Sequence, residues 1–414
     1  MREMKDSGIE WVGAIPQDWQ LSKIGSLYTQ RNEKVSDKDY QPLSVTMQGI
    51  LPQLATAAKT DDGDNRKLVR VGDFAINSRS DRRGSCGISP LDGSVSLINI
   101  ILTPRTAMHP GYYNWLFHTT LFADEFYKWG HGIVADLWTT RWQEMKSITV
   151  PVPEYAKQER IAAFLDAECA EIDAVLEKTR ASIEEYKKLK QAVITQAVTK
   201  GIRGDRPMKD SGIEWIGDIP AEWSVVPFSK FARVSANLVN PSDYQDYLQV
   251  SPENIEKDSG KLLPCKTVSE VGVESWNHFF HKGQILYSKI RPKLNKVCIA
   301  PFDGLCSADM YPIDTNNISK FVVYTILSND FNQQVAMITE NRVKMPKINQ
   351  KELSKIIVIL PANRMEQQEI VDYLDGECGK IDALIAKKQQ YLTEIENYKK
   401  SLIYEYVTGK KEVV

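Results

Sequence analysis

The chain is poor in the residues that staple, ligate or catalyse. Six cysteines in 414 residues form no Cys-x-x-Cys pair. That excludes a disulfide framework or zinc ribbon of the usual spacing, and the thiols are expected to be reduced and cytoplasmic. Histidine is scarcer still, at five. The nearest pair, His278 and His281, has no obvious third ligand beside it, so packing or surface roles are expected rather than a metal site. There is no phosphate-cradling Gly-x4-Gly-Lys-Ser/Thr loop, no Gly-x-Gly-x-x-Gly after a strand and no Gly-x-Ser-x-Gly elbow. Asn-Pro-Pro-aromatic, an element that holds a flipped base for methylation, is also missing. Together these absences argue against catalysis by this chain and against any cofactor of its own. No apolar run approaches the roughly 18 residues of a membrane span, and the opening MREMKDSGIEW lacks the apolar core of a secretory signal. Neither sign of charge is in excess: 52 basic against 54 acidic residues give −2. Any nucleic-acid surface must therefore be local.

What is present is repetition. MKDSGIEWVGAIPQDW at 4–19 returns as MKDSGIEWIGDIPAEW at 208–223. Such a repeat points to duplication. Its tryptophans, Trp11, Trp19, Trp215 and Trp223, tempt a base-stacking reading. They belong to the repeated element, whereas sequence readers should differ between halves, so core or inter-domain packing is expected for all four.

A second repeat is helical. Residues 154–200 contain neither Pro nor Gly, and Ile161, Leu165, Ile172, Leu176 and Ile183 follow the spacing of a heptad seam. Ile370, Leu374, Ile381, Ile385 and Leu392 repeat it 209 positions later, and LDAECAEIDA becomes LDGECGKIDA. Two matched seams most simply pair as an antiparallel coiled coil. A third repeat, GISPLDGSVS at 87–96 and CIAPFDGLCS at 298–307, reads as a hairpin around a Pro-x-Asp-Gly turn. Each is followed by a helix-like stretch, 112–129 and 318–336. The expected organisation is an α+β domain over 1–153, a long helix over 154–200, a linker at 201–207, a second α+β domain over 208–361 and a second long helix over 362–414. Matched Cys169 and Cys378 are expected to be small buried residues, and Asp166, Asp173, Asp375 and Asp382 to be interface or solvated charges.

Local charge carries the function. Residues 275–302 hold Lys282, Lys289, Arg291, Lys293 and Lys296 without an acid, for a charge of +5. The matching loop of the first half, NSRSDRRGS, holds Arg79, Arg82 and Arg83 against Asp81. A further run, 341–351, includes Arg342, Lys344 and Lys347. Cations interleaved with Ser, Asn and Gln at equivalent framework positions suit phosphate and base-edge contacts on duplex DNA. The residues leave open a tandem DNA-binding regulator and a structural scaffold whose affinity for DNA is only generic and salt-sensitive.

Taken together, the Trp-x-Gly-x-Ile-Pro repeat, the KQERIAAFLDAECAEIDA and EQQEIVDYLDGECGKIDA helices and the paired turns resemble the specificity (S) subunit of type I restriction-modification systems, over the whole chain. The resemblance implies two target-recognition domains that read the halves of a split, asymmetric site in double-stranded DNA, with two long helices setting the gap. It implies two methyltransferase (M) subunits docked on this scaffold, restriction (R) subunits, and S-adenosylmethionine in the methyltransferase. Contact residues do not carry over from the family, so the DNA-binding residues above rest on charge alone.

Overall fold

The computed structural model describes residues 3–53, 63–132, 138–340, 342 and 346–413. The chain forms two compact units, Met1–Arg180 with Gln390–Val414, and Ala181–Gln389. Each contains an α+β domain and parts of both long helices. No helix among the described residues is long and apolar enough to cross a membrane.

The first unit carries an antiparallel sheet in the order Cys86–Ile88, Phe74–Asn77, Asn99–Pro104, Tyr28–Arg31. The second repeats that order with Val297–Ile299, Ile285–Ser288, Met310–Asp314 and Arg233–Val234. Both faces of these sheets are covered, so the period of two sorts side chains into two cores. Phe74, Ile76, Ile100 and Leu102 face the helical side, while Ala75 and Ile101 face a smaller cluster with Leu43 and Val69. In the second unit Ile285, Tyr287 and Ile313 take the helical side, and Leu286 and Met310 the other.

The Pro-x-Asp-Gly segments are not hairpins. Cys86–Ile88 pairs with Phe74–Asn77, but Gly93–Val95 pairs with Arg66–Val69 in a different sheet. Val297–Ile299 and Gly304–Cys306 part in the same way. The turn carboxylate explains the corner: Asp92 accepts from the Val71 amide at 2.8 Å and Asp303 from the Lys282 amide at 2.6 Å. Each turn is thereby tied to a neighbouring loop rather than folded on itself. The expected single helix beyond also divides, into Pro110–Phe117 with Thr120–Lys128, and Ser319–Leu327 with Asn329–Thr339. Thr119 and Ser328 cap the second member of each pair through their hydroxyls.

The long helices run Tyr155–Lys200 and Arg364–Val407. Repeated polar residues fasten each start to its own domain. Buried Gln158 accepts from the His109 amide at 2.9 Å, and Gln367 from the Ile318 amide at 3.0 Å, capping the next helix of the domain. Asp166 accepts from the Trp115 indole at 2.8 Å, and Asp375 from the Tyr324 hydroxyl at 2.6 Å. The second aspartate of each repeat reaches the other helix: Asp173 to Lys399 at 2.7 Å, and Asp382 to Lys190 at 2.8 Å. With Arg180 on Glu396 at 2.5 Å, these pairs run in opposite senses along the two chains, so the helices are antiparallel. None of the ten seam residues is exposed. Cys169 and Cys378 are buried, and burial pushes both thiols up to about 11.

Each domain is completed by the far helix. The first unit's core takes Leu402, Ile403 and Val407 from the second helix, while the second unit's core takes Ile194, Ala197 and Val198 from the first. Gly201 and Gly409 follow these ends in the left-handed conformation that closes a helix. They lie against Trp223 and Trp19, where a Cβ would stand 3.3 Å and 3.0 Å from the indoles. In the first unit the seal is also polar, with Tyr404 Oη donating to the Val12 carbonyl at 3.0 Å and Tyr112 Oη to that of Val407 at 2.8 Å.

The two seals differ in charge. In the first unit Lys157 pairs with Asp18. In the second its place is taken by Glu366, and the cation comes from Arg206, which bridges Glu366 at 2.6 Å and also pairs with Glu222. Glu366 further accepts from the Trp223 indole at 2.9 Å.

Gly376 and Gly379 lie inside the second helix with open space where a Cβ would stand, at positions where the first helix has Ala167 and Ala170. Glycine costs a helix interior up to about 1 kcal/mol relative to alanine. Gly376→Ala with Gly379→Ala is therefore expected to raise the thermal unfolding midpoint by several degrees; an unchanged or lower midpoint would refute it.

Candidate nucleic-acid interface

In both units the basic loop is one half of a two-loop surface. It leaves the central strand of the four-stranded sheet and pairs with the segment preceding a short helix. In the second unit Ile290 bridges Lys347, the Arg291 amide donates to the Pro346 carbonyl at 2.8 Å, and the Ile348 amide to that of Lys289 at 2.9 Å. The two basic runs that lie about fifty positions apart in sequence are thus side by side. In the first unit Arg79 bridges Thr139 in the same way, and the Ser80 amide donates to the Trp138 carbonyl at 3.1 Å. Its partner segment carries Arg141 and His131, which charge counting overlooks because that segment holds no basic run.

The candidate cations divide by what they already hold. Arg83 pairs with Asp124 and lies over the Tyr127 ring at 5.7 Å. Lys296 donates to the Pro252 carbonyl at 2.6 Å, and Arg342 forks onto Glu352 at 2.5 and 3.1 Å. The fork holds the Glu352 carboxyl below the usual carboxylate range. Among the described residues Arg82 reaches only Asp81, at 3.7 Å, and Lys289 lies 5.3 Å from the Tyr311 ring centre. Lys347 is exposed, its backbone held in the bridge to Ile290. Arg79, Arg291 and Lys293 are exposed, with no side-chain partner among the described residues. Lys344 lies outside the described residues. Arg291 has φ +43°, a left-handed conformation rarely adopted by non-glycine residues, directly before Pro292. The hydrogen bond from its N–H to the Pro346 carbonyl holds it there, and the side chain is exposed to solvent.

The tryptophans depart from expectation at one position. Trp11, Trp19 and Trp223 are core residues, but Trp215 is 51% exposed. Trp11 closes edge-on against Phe122 at 5.9 Å; the equivalent Phe331 packs instead on Phe228 and Tyr287. Trp215 pairs with no ring among the described residues and lines a groove with Thr195 and Asn329. His278 is buried, His281 faces Asp303 at 3.8 Å, and no group of three ligating side chains suited to a metal comes together among the described residues.

Comparison with known proteins accords with this geometry. Residues 230–397 match the family described as the type I restriction modification DNA specificity domain. The type I restriction enzyme EcoDI specificity subunit of Escherichia coli is 34% identical over 286 residues, which are 64% of this chain and 63% of that protein. The match thus spans just under two thirds of that relative's length. A chain solved in work on complex assembly and conformational transition of the type I R-M system superposes with a TM-score of 0.72 at 13% identity, over 96% of this chain and 99% of that one. The HsdS subunit from Thermoanaerobacter tengcongensis gives 0.50 at 14% identity, over 96% and 98%. These two establish the mixed α/β fold with its long helices. Over residues 230–397 the chain is thus similar to the type I restriction modification DNA specificity domain.

Proposed function

We propose that this chain is the non-catalytic, DNA-reading subunit of a type I restriction-modification complex. Each α+β domain reads one half of a split, asymmetric site in duplex DNA, and the helical pair sets the gap between the halves. The observation that carries this reading is the pair of two-loop surfaces. They occupy the same framework position in both units, present Arg79 in one and Arg291 with Lys293 in the other, and differ in nearly every other residue. A shared frame with different contacts suits two unlike half-sites. Two copies of a methyltransferase subunit suit the repeated helix segments, and restriction subunits would join that assembly. Base flipping and methyl transfer from S-adenosylmethionine belong to the methyltransferase. The complex would act where the chromosome is, in the cytoplasm.

The test is a methylation map of host DNA with and without this gene. One split, asymmetric methylated motif should vanish on deletion; an unchanged map would overturn the reading. Complementation with Arg79→Ala or Arg291→Ala should relax or abolish recognition of one half each. Full recognition by both variants would remove these two arginines from the interface.

A further inference from the structure

Gln249 lies in the strand Leu248–Val250 and is 5% exposed. The Asn277 side chain donates through Nδ2 to the Ser275 carbonyl at 2.9 Å, which turns its Oδ1 toward Gln249. Gln249 Nε2 donates to that oxygen at 3.4 Å. Its own Oε1 is left buried and without a partner among the described residues, a costly state for an acceptor. The Gln249 residue lines a cavity of about 390 Å³ together with Ser251, Asn254, Lys266, Asn277 and Ser307. That volume is many times the share of a single water, roughly 30 Å³.

The wall around this acceptor is fixed. Asn254 accepts from both the amide and the hydroxyl of Ser251 at 2.9 Å and donates to the Pro264 carbonyl at 3.0 Å. Ser307 accepts from the Asp309 amide at 3.2 Å. The cavity also shares its walls with the basic loop. Lys296 is bonded to Pro252, in the turn that carries Asn254, and the Lys289 amide donates to the Asp309 carbonyl at 3.0 Å. Trp276, 61% exposed, sits between the two lining positions 275 and 277.

We propose that this cavity is a specificity pocket in which Gln249 Oε1 accepts from the amino group on a base's major-groove edge, adenine N6 or cytosine N4. On that edge adenine and cytosine offer an N–H donor, whereas guanine and thymine offer only acceptors, which a buried carbonyl oxygen repels. The pocket therefore separates A or C from G or T at one position of one half-site. This inference rests on the DNA-reading function proposed above.

The test uses the full chain assembled with its methyltransferase subunits and duplexes carrying the motif found by methylation mapping. At each position, adenine is replaced by purine lacking the 6-amino group, and cytosine by 2-pyrimidinone. With wild-type protein, one position in one half should lose about tenfold in competition binding. Gln249→Met should lose the same tenfold on the natural duplex, with no further loss from the analogue, and the other half should be unaffected. Gln249→Ser serves if the methionine variant does not fold. Tolerance of every analogue by wild-type protein, or unchanged discrimination by a folded Gln249 variant, overturns the pocket. Failure of the underlying reading looks different: no motif emerges, and no duplex competes better than a scrambled one.

Discussion

Glu366→Ala is expected to destabilise the second unit by about 3 kcal/mol, a drop of roughly 6–12 °C in its unfolding midpoint. The side chains of Glu366 and Arg206 are only 4% and 10% exposed. Removing the carboxylate strips a charge partner from Arg206 and the acceptor from the Trp223 indole in one step. Breaking a buried pair by deleting one member costs more than the pair itself contributes, because the other charge stays behind. The cost should sit at the low end of that range, since Arg206 keeps exposed Glu222. Glu366→Gln, which can still accept from Trp223, should lose less. Calorimetry decides the matter: a loss under about 1 kcal/mol for the alanine variant would mean water already screens the pair. The equivalent change in the first unit, Lys157→Ala, removes a single ion pair with a half-exposed aspartate and should do much less.

The second large effect follows from the proposed function and concerns the gap of the split site. One heptad inserted into each long helix, between the Asp173–Lys399 and Lys190–Asp382 pairs, preserves both pairs and the seam. It lengthens each helix by about 10 Å, close to three base-pair steps of duplex at about 3.4 Å each. The methylated motif should keep both halves and widen its gap, by about three base pairs. Loss of all methylation would be ambiguous alone, so the variant's helicity and its binding of the methyltransferase are measured in parallel. A folded, assembled variant that methylates the original motif would sink the idea of the helices as a ruler.

Much of the architecture was legible in the sequence because repetition makes position comparable. The first helix, expected over 154–200, spans Tyr155–Lys200, and the matched aspartates and lysines state the antiparallel register once the helices are seen to pair. What stayed hidden depends on tertiary partners. The turn at Asp92 reads as a hairpin locally, yet its carboxylate serves an amide 21 residues away. Arg83 and Lys296 look like free loop charges, but their partners lie 41 and 44 positions off. Trp215 stands in an almost unchanged repeat and is exposed where its counterpart Trp11 is buried. Gln249 belongs to no charged run, so a search for cations passes over it.

The exchange of helix ends also sets an order in time. The first domain needs Leu402, Ile403 and Val407 to close over Trp19, and these are made roughly 240 residues after the start of its own helix at Ile161 and Leu165. At about 5–20 residues per second the ribosome takes on the order of 12–50 s to supply them. Until then the nascent first half exposes a ready-made apolar floor, while the second half, whose share of the first helix precedes it, can close as it emerges. The half made first is therefore the half finished last, with its apolar floor uncovered in the interval.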